Sequence, residues 1–249
     1  MNILSIGNGI SSDAHRFLPQ MAIADGEELL LCNLYIENCS LEQHWNNWRE
    51  EKTDYDYEVY LPFETELNRP DGVALHEAVE DEAWDIITLQ QSTALSGIPE
   101  SYSPFLSELA EYCRMVQPNA KIIVHQTWAY ENGCAVPAFA NYGRNQQEMY
   151  KALTEAYVNA ALEADIDLII PSGRAWQSAR STEIGDRLTV DGCRANDLGC
   201  FLASACFYET AFGKSIYDNS FYLPDTDPRI TELLKLCAHT AVEKGIMRK

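Results

Sequence analysis

Five short stretches of this chain bring together side chains able to do chemistry: Gly7-Asn8-Gly9, Glu37-Asn38-Cys39-Ser40, Gln90-Gln91-Ser92, His125-Gln126-Thr127-Trp128 and Asp191-Gly192-Cys193-Arg194. The first four follow apolar runs directly. Their amides, hydroxyls and imidazoles can hold a polar ligand, and Arg194 adds a cation that keeps its proton at any ordinary pH. Glycine-bracketed N–H groups at the start of a helix favour negative charge, so an anionic group fits the first turn. A salt bridge from Arg194 to Asp191 would cancel that cation. The residue between Asn8 and Ile10 decides the chemistry: a serine there would point to hydrolysis, and the chain has Gly9.

The elements that must position these residues alternate between strand and helix. Residues 2–7 read as a strand, and Ser12 is placed to cap a helix running to about Ala24, ended by Asp25-Gly26. Leu29 to Ile36 is a near-continuous apolar run, as in a parallel strand covered on both faces. A short helix follows over Ser40–Glu50, then an alternating stretch, Tyr55–Phe63, that suits an edge excursion. Val73–Glu82 reads as helix, Trp84–Leu89 as strand, Pro104–Val116 as helix and Lys121–Val124 as strand. Asn145–Ala164 is a long amphipathic helix, Leu168–Ile170 a strand, and Asn196–Phe212 and Pro228–Lys244 are helices. This order predicts an α/β three-layer sandwich, with a flavodoxin-like parallel sheet and helices on both faces. With no repeat or long linker, residues 1–249 read as one domain. In such a sheet ligands bind beyond the carboxyl ends of the strands, where the chemistry-bearing stretches lie.

Composition narrows the partners. The 249 residues carry a formal net charge of −20, which disfavours nucleic acid and anionic membrane. No apolar run approaches membrane-spanning length, and the first residues lack a charged leader pattern, so a cytoplasmic location is expected. The eight cysteines show no Cys-x-x-Cys pair, which argues against a metal and for buried, reduced thiols. A small-molecule ligand without a cofactor is the expected partner; the oligomeric state is left open.

Taken in order, the stretches Ile6–Ser11, Glu37–His44, Trp84–Gln91, His125–Tyr130 and Asp191–Arg194 resemble the sequence blocks of a bacterial branch of the SGNH (GDSL-like) hydrolases. The resemblance runs from about residue 3 to residue 213. It implies the SGNH-hydrolase fold and an ancestry in ester or acetyl hydrolysis of small or carbohydrate substrates. In that chemistry a serine attacks the carbonyl, an imidazole takes its proton, an aspartate orients the imidazole, and N–H groups hold the oxyanion. The resemblance puts Gly9 at the nucleophile position and Arg194 at the base position; only Asp191 of the triad is kept. Asn38 stands where the family pattern has glycine, with Gln91 or Gln90 as the amide donor to an oxyanion. Asn8, Ser11, His44, His125 and Trp128 complete the expected ligand-binding set.

These readings predict a protein of esterase ancestry without its Ser–His pair, a pseudoenzyme or altered-chemistry binder of a small anionic or carbohydrate-derived ligand. One alternative is an active esterase that recruits Ser11 or Ser12 with His44 or His125. His15, His76 and His239 are expected at the surface or in packing. A second alternative reads Gly7-x-Gly9-x-x-Ser12 as a dinucleotide fingerprint with Glu37 as the ribose-binding acid.

Overall fold

The computed structural model describes residues 1–245. The first apolar run forms β1 (Asn2–Gly7), which ends where Asn8 caps α1 (Gly9–His15). The helix therefore starts four residues earlier than the sequence predicts. Asn8, not Ser12, is its cap, because the Asn8 side chain accepts the N–H of Ile10 at 3.0 Å. The predicted single helix is two: α1, then α2 (Leu18–Ala24), with Pro19 in the first turn of the second. Asp25 closes α2 and Gly26 turns the chain with φ +69°.

The remaining elements follow in alternation: β2 (Leu30–Tyr35), α3 (Leu41–Arg49), β3 (Asp56–Tyr60), α4 (Leu75–Asp81), β4 (Ile86–Leu89), α5 (Phe105–Val116) and β5 (Lys121–His125). The chain then runs through α6 (Gln146–Glu163), β6 (Ile169–Ile170), α7 (Ser172–Arg180), α8 (Asp197–Phe212) and α9 (Pro228–Lys244). The strands form one sheet in the order β3-β2-β1-β4-β5-β6. All neighbouring pairs are parallel except β2 with β3, where Leu31 faces Tyr60 and Tyr35 faces Asp56 in antiparallel register. The all-parallel expectation is thus corrected at one edge: Tyr55–Phe63 is the edge excursion, and it adds a reversed strand. Residues 68–73 return along its outer side through bridges from Asn68 to Val59 and from Val73 to Tyr55.

Each face of the sheet carries its own core. Leu4, Leu34, Ile87, Leu89 and Val124 pack under α3, α4, α5 and α6. Ile3, Leu31, Ile86 and Ile123 pack under α1, α2, α7, α8 and α9. Adjacent strand residues thus serve opposite layers, which explains the near-continuous apolar runs. Helix α8 is apolar on nearly all sides and buried from Gly199 to Tyr208, so it acts as the central beam of its layer. No described helix is long and apolar enough to cross a membrane. The cysteines are free, and all but Cys193 are buried.

Candidate functional site

The loops after β1 and β2, the turn after β4 and the segment 191–194 enclose a cleft of about 580 Å³. It opens where the parallel strands end, the position a switch in strand order provides. At its floor, Gly7 is required by close packing: a Cβ there would stand 2.1 Å from the hydroxyl oxygen of Ser11. Gly9 is the opposite case, since a Cβ would meet nothing within 4 Å. Asn8 ties two of the cleft's loops together, because its Nδ2 donates to the carbonyl of Cys39 at 2.9 Å.

Both serines beside Gly9 are engaged. The Ser11 hydroxyl turns into the protein, 2.7 Å from the Asn8 carbonyl and 2.8 Å from Asn33 Oδ1, and it accepts the Asn8 N–H. The Ser12 hydroxyl lies at the cleft but donates to the buried Glu58 carboxylate at 2.5 Å. Asn38 takes the left-handed conformation with φ +56°, which asparagine tolerates better than most residues. Among the described residues, the backbone N–H groups of Gly9 and Asn38 have no protein acceptor. Both residues line the cleft.

The late segment is a braced loop. Asp191 Oδ1 accepts the N–H groups of Cys193 at 3.0 Å and Arg194 at 2.8 Å, while Oδ2 takes Arg194 Nε at 2.7 Å. Partial burial pushes the Asp191 carboxyl up, but these donors outweigh it and hold the group below the usual carboxylate range. The salt bridge that would cancel the Arg194 cation is therefore formed, on a side chain that is 70% exposed. Gly192, at φ +89°, lays the loop on Cys134, and its carbonyl accepts the Glu131 N–H at 2.8 Å.

Trp128 belongs to this bracing and not to the cleft. It is fully buried, stacks on Trp176 with centroids 4.1 Å apart, and donates from Nε1 to the Cys193 carbonyl at 3.0 Å. Gln91 is likewise structural: its Oε1 accepts the N–H groups of Leu41 and Ser92, and its Nε2 donates to the Ser101 carbonyl at 2.9 Å. Gln90 Nε2 lies 3.0 Å from His125 Nδ1, and His125 Nε2 lies 2.9 Å from the Ser172 hydroxyl. His44 stacks on Tyr55 and places Nδ1 2.9 Å from its hydroxyl. Burial pushes both imidazoles down to about 3, so they are neutral, and neither lines the cleft. His15 is also buried, on Ser5 and against the edge of Phe207, so of the two expected places, surface or packing, it takes the second.

Two cleft residues escape the sequence reading. Asp13, one turn beyond Gly9 on α1, accepts the Ala195 N–H at 3.2 Å and so anchors the late loop to the first helix. Burial pushes its carboxyl up to about 6, against the opposing pull of the Ala195 N–H and the nearby Arg16 and Arg194. The i, i+4 spacing from Gly9 was the available signal. Arg69 comes from the segment 68–73 that returns beside β3 through two isolated bridges, and lines the opposite wall with Tyr35.

The parallel strands run β2-β1-β4-β5-β6, with β3 antiparallel at the edge, and this three-layer α/β fold is the one seen in solved SGNH/GDSL hydrolases. A protein from Slackia heliotrinireducens assigned to the SGNH hydrolases matches with TM-score 0.57 and 22% identity, over 84% of this chain and 98% of that one. A catalytic mutant of an acetylxylan esterase from Geobacillus stearothermophilus matches with TM-score 0.55 and 11% identity, over 91% and 97% of the two chains. At these identities the likeness concerns the fold. The chain itself belongs to the family described as domain of unknown function DUF4886, whose profile matches residues 2–241. A crystal structure of a DUF4886 family protein from Bacteroides uniformis has TM-score 0.95 and 33% identity, covering 98% of this chain and 95% of that one. No curated protein matches the sequence.

Proposed function

We propose that this chain binds a small ligand in an SGNH-hydrolase-like cleft without serine–histidine ester hydrolysis. One observation carries the reading: among the described residues, no hydroxyl and imidazole meet in the cleft. Gly9 has no side chain to offer, and Arg194 holds its proton and is bound to Asp191. The substitutes do not reach each other, since Ser11 faces the sheet, Ser12 is held by Glu58, and His44 and His125 are buried elsewhere. The free N–H groups of Gly9 and Asn38, and the hydroxyl- and tyrosine-bearing walls, suit a ligand rich in oxygen atoms. A dinucleotide reading shares the strand order but is opposed by β3, which runs antiparallel to β2 and breaks the second βαβ unit.

The expected result is hydrolysis of p-nitrophenyl acetate and of acetylated sugars at the buffer rate, with no residue labelled by a serine-reactive phosphonate. Turnover well above buffer that the phosphonate abolishes would overturn the reading and turn attention to Ser12.

A further inference from the structure

Arg69 is the one guanidinium of the cleft that is fixed from behind. Its Nη2 pairs with Glu58, a carboxylate only 3% exposed, which also takes the Ser12 hydroxyl at 2.5 Å and Asn33 Nδ2 at 2.8 Å. Its plane lies over the Tyr35 ring, 4.8 Å from the centroid. Asp56 stands 3.9 Å from Nη1, beyond hydrogen-bond range. Among the described residues, Nε and Nη1 therefore have no hydrogen-bond acceptor in the protein. Glu58 and Tyr35 together fix the orientation of the fork, so little rotamer entropy is lost when an acceptor arrives. Arg194 differs: it is mostly exposed, and its Nε is committed to Asp191.

We propose that Arg69 determines ligand specificity by holding a carboxylate on the ligand at the Tyr35 wall of the cleft. The inference rests on the reading of the cleft as a ligand site and names the ligand's class. Nε and Nη1 lie on opposite edges of the guanidinium and Nη2 is held by Glu58, so a ligand carboxylate takes a single charge-assisted N–H···O bond from one free edge, about twice as strong as a neutral one. Glu58 inside the protein and Asp56 at 3.9 Å from Nη1 together more than offset the charge of Arg69, so the gain comes from a directed hydrogen bond and not from net charge. The anion therefore sits across the cleft from the position Arg194 would give it.

The test compares D-glucuronate with D-glucose, which share the ring and the hydroxyls on C1 to C4 and differ at C6, carboxylate against hydroxymethyl, using titration calorimetry on the full chain. The parent is expected to bind glucuronate about tenfold or more tightly than glucose. Arg69→Gln is expected to erase that preference, while the distant surface change Arg49→Gln leaves it intact. Because Arg69→Gln leaves Glu58 without its counter-charge and can weaken folding, Arg69→Lys serves as the second variant. It keeps the charge and loses the planar group over Tyr35 with its directed N–H, so an intermediate preference is expected. Equal affinity for the two sugars, no saturable glucuronate binding, or a preference that survives Arg69→Gln each overturns the proposal. Ester turnover is measured separately, so failure of the non-hydrolytic reading shows in that assay and not in the affinity ratio.

Discussion

The double change Gly9→Ser with Arg194→His is expected to raise hydrolysis of a small acetyl ester by on the order of 100-fold, while each single change stays near the parent rate. A general base contributes about 10²- to 10⁴-fold, and nucleophile and base act as one unit, so neither change alone supplies that gain. The site is prepared on several counts. A side chain at position 9 enters open space, and Gly9 is not in a left-handed conformation, so serine costs no backbone strain. The N–H groups of Gly9 and Asn38 have no protein acceptor and are available to an oxyanion. Removing the guanidinium releases Asp191 Oδ2 to orient the new imidazole, while Oδ1 keeps its two backbone donors. The loop itself is held by Asp13, Trp128 and Glu131, none of which changes.

The expected gain lies at the low end of that range because the amide of Gln91 is committed to Ser101 and supplies no third oxyanion donor. Loss of one such donor typically costs about 10²- to 10³-fold. The four variants are compared on p-nitrophenyl acetate, with melting temperatures as the folding control. A well-folded double variant indistinguishable from the parent would mean that the cleft has diverged beyond the two missing groups.

Backbone positions are legible in this sequence, and side-chain directions are not. The buried strands announce themselves because residues such as Ile86 and Ile87 must feed opposite layers, leaving no polar interruption. Strand ends then locate the cleft's loops correctly. Whether a residue there turns outward depends on partners far away in sequence. Gln91 is drawn to Leu41 and Ser101, and Trp128 is drawn to Trp176 and Cys193, contacts with no local signature. Arg69 is invisible for the same reason, since only the antiparallel course of β3 and the segment returning beside it bring it to Tyr35. Helix α7 goes unread because its sequence is largely polar and holds Gly173 in its first turn. That glycine is imposed by packing: a Cβ would stand 2.3 Å from the Thr127 carbonyl oxygen.

Acid is expected to unfold this protein well above the pH at which its carboxylates alone would do so. His15, His44 and His125 are buried and neutral, each with its pKa pushed down to about 3 by burial. In the unfolded chain they titrate near 6.5, so below that pH the unfolded state binds more protons, and stability falls as pH falls toward 3. Each histidine withdraws about 1.4 kcal/mol per pH unit below 6.5, so by pH 5 the three withdraw roughly 6 kcal/mol. Asp13 acts in the opposite direction: its folded pKa is raised to about 6, so acidification relieves its burial. One carboxyl offsets about one of the three imidazoles over this window, and the histidines win. By pH 4.5 the net loss reaches roughly 6 kcal/mol, the low end of the whole stability of a typical domain, about 5–15 kcal/mol. The melting temperature is therefore expected to fall steeply between pH 6.5 and pH 4.5, with unfolding at room temperature near the lower limit. His44→Phe keeps the stack on Tyr55 and has no proton to gain, so its melting curve should be flatter with pH by about one third of the histidine contribution. A parent whose melting temperature is level from pH 7 to pH 4.5 would show that these imidazoles gain protons in the folded state, and so are wetter than their packing against Phe207 and Tyr55 implies.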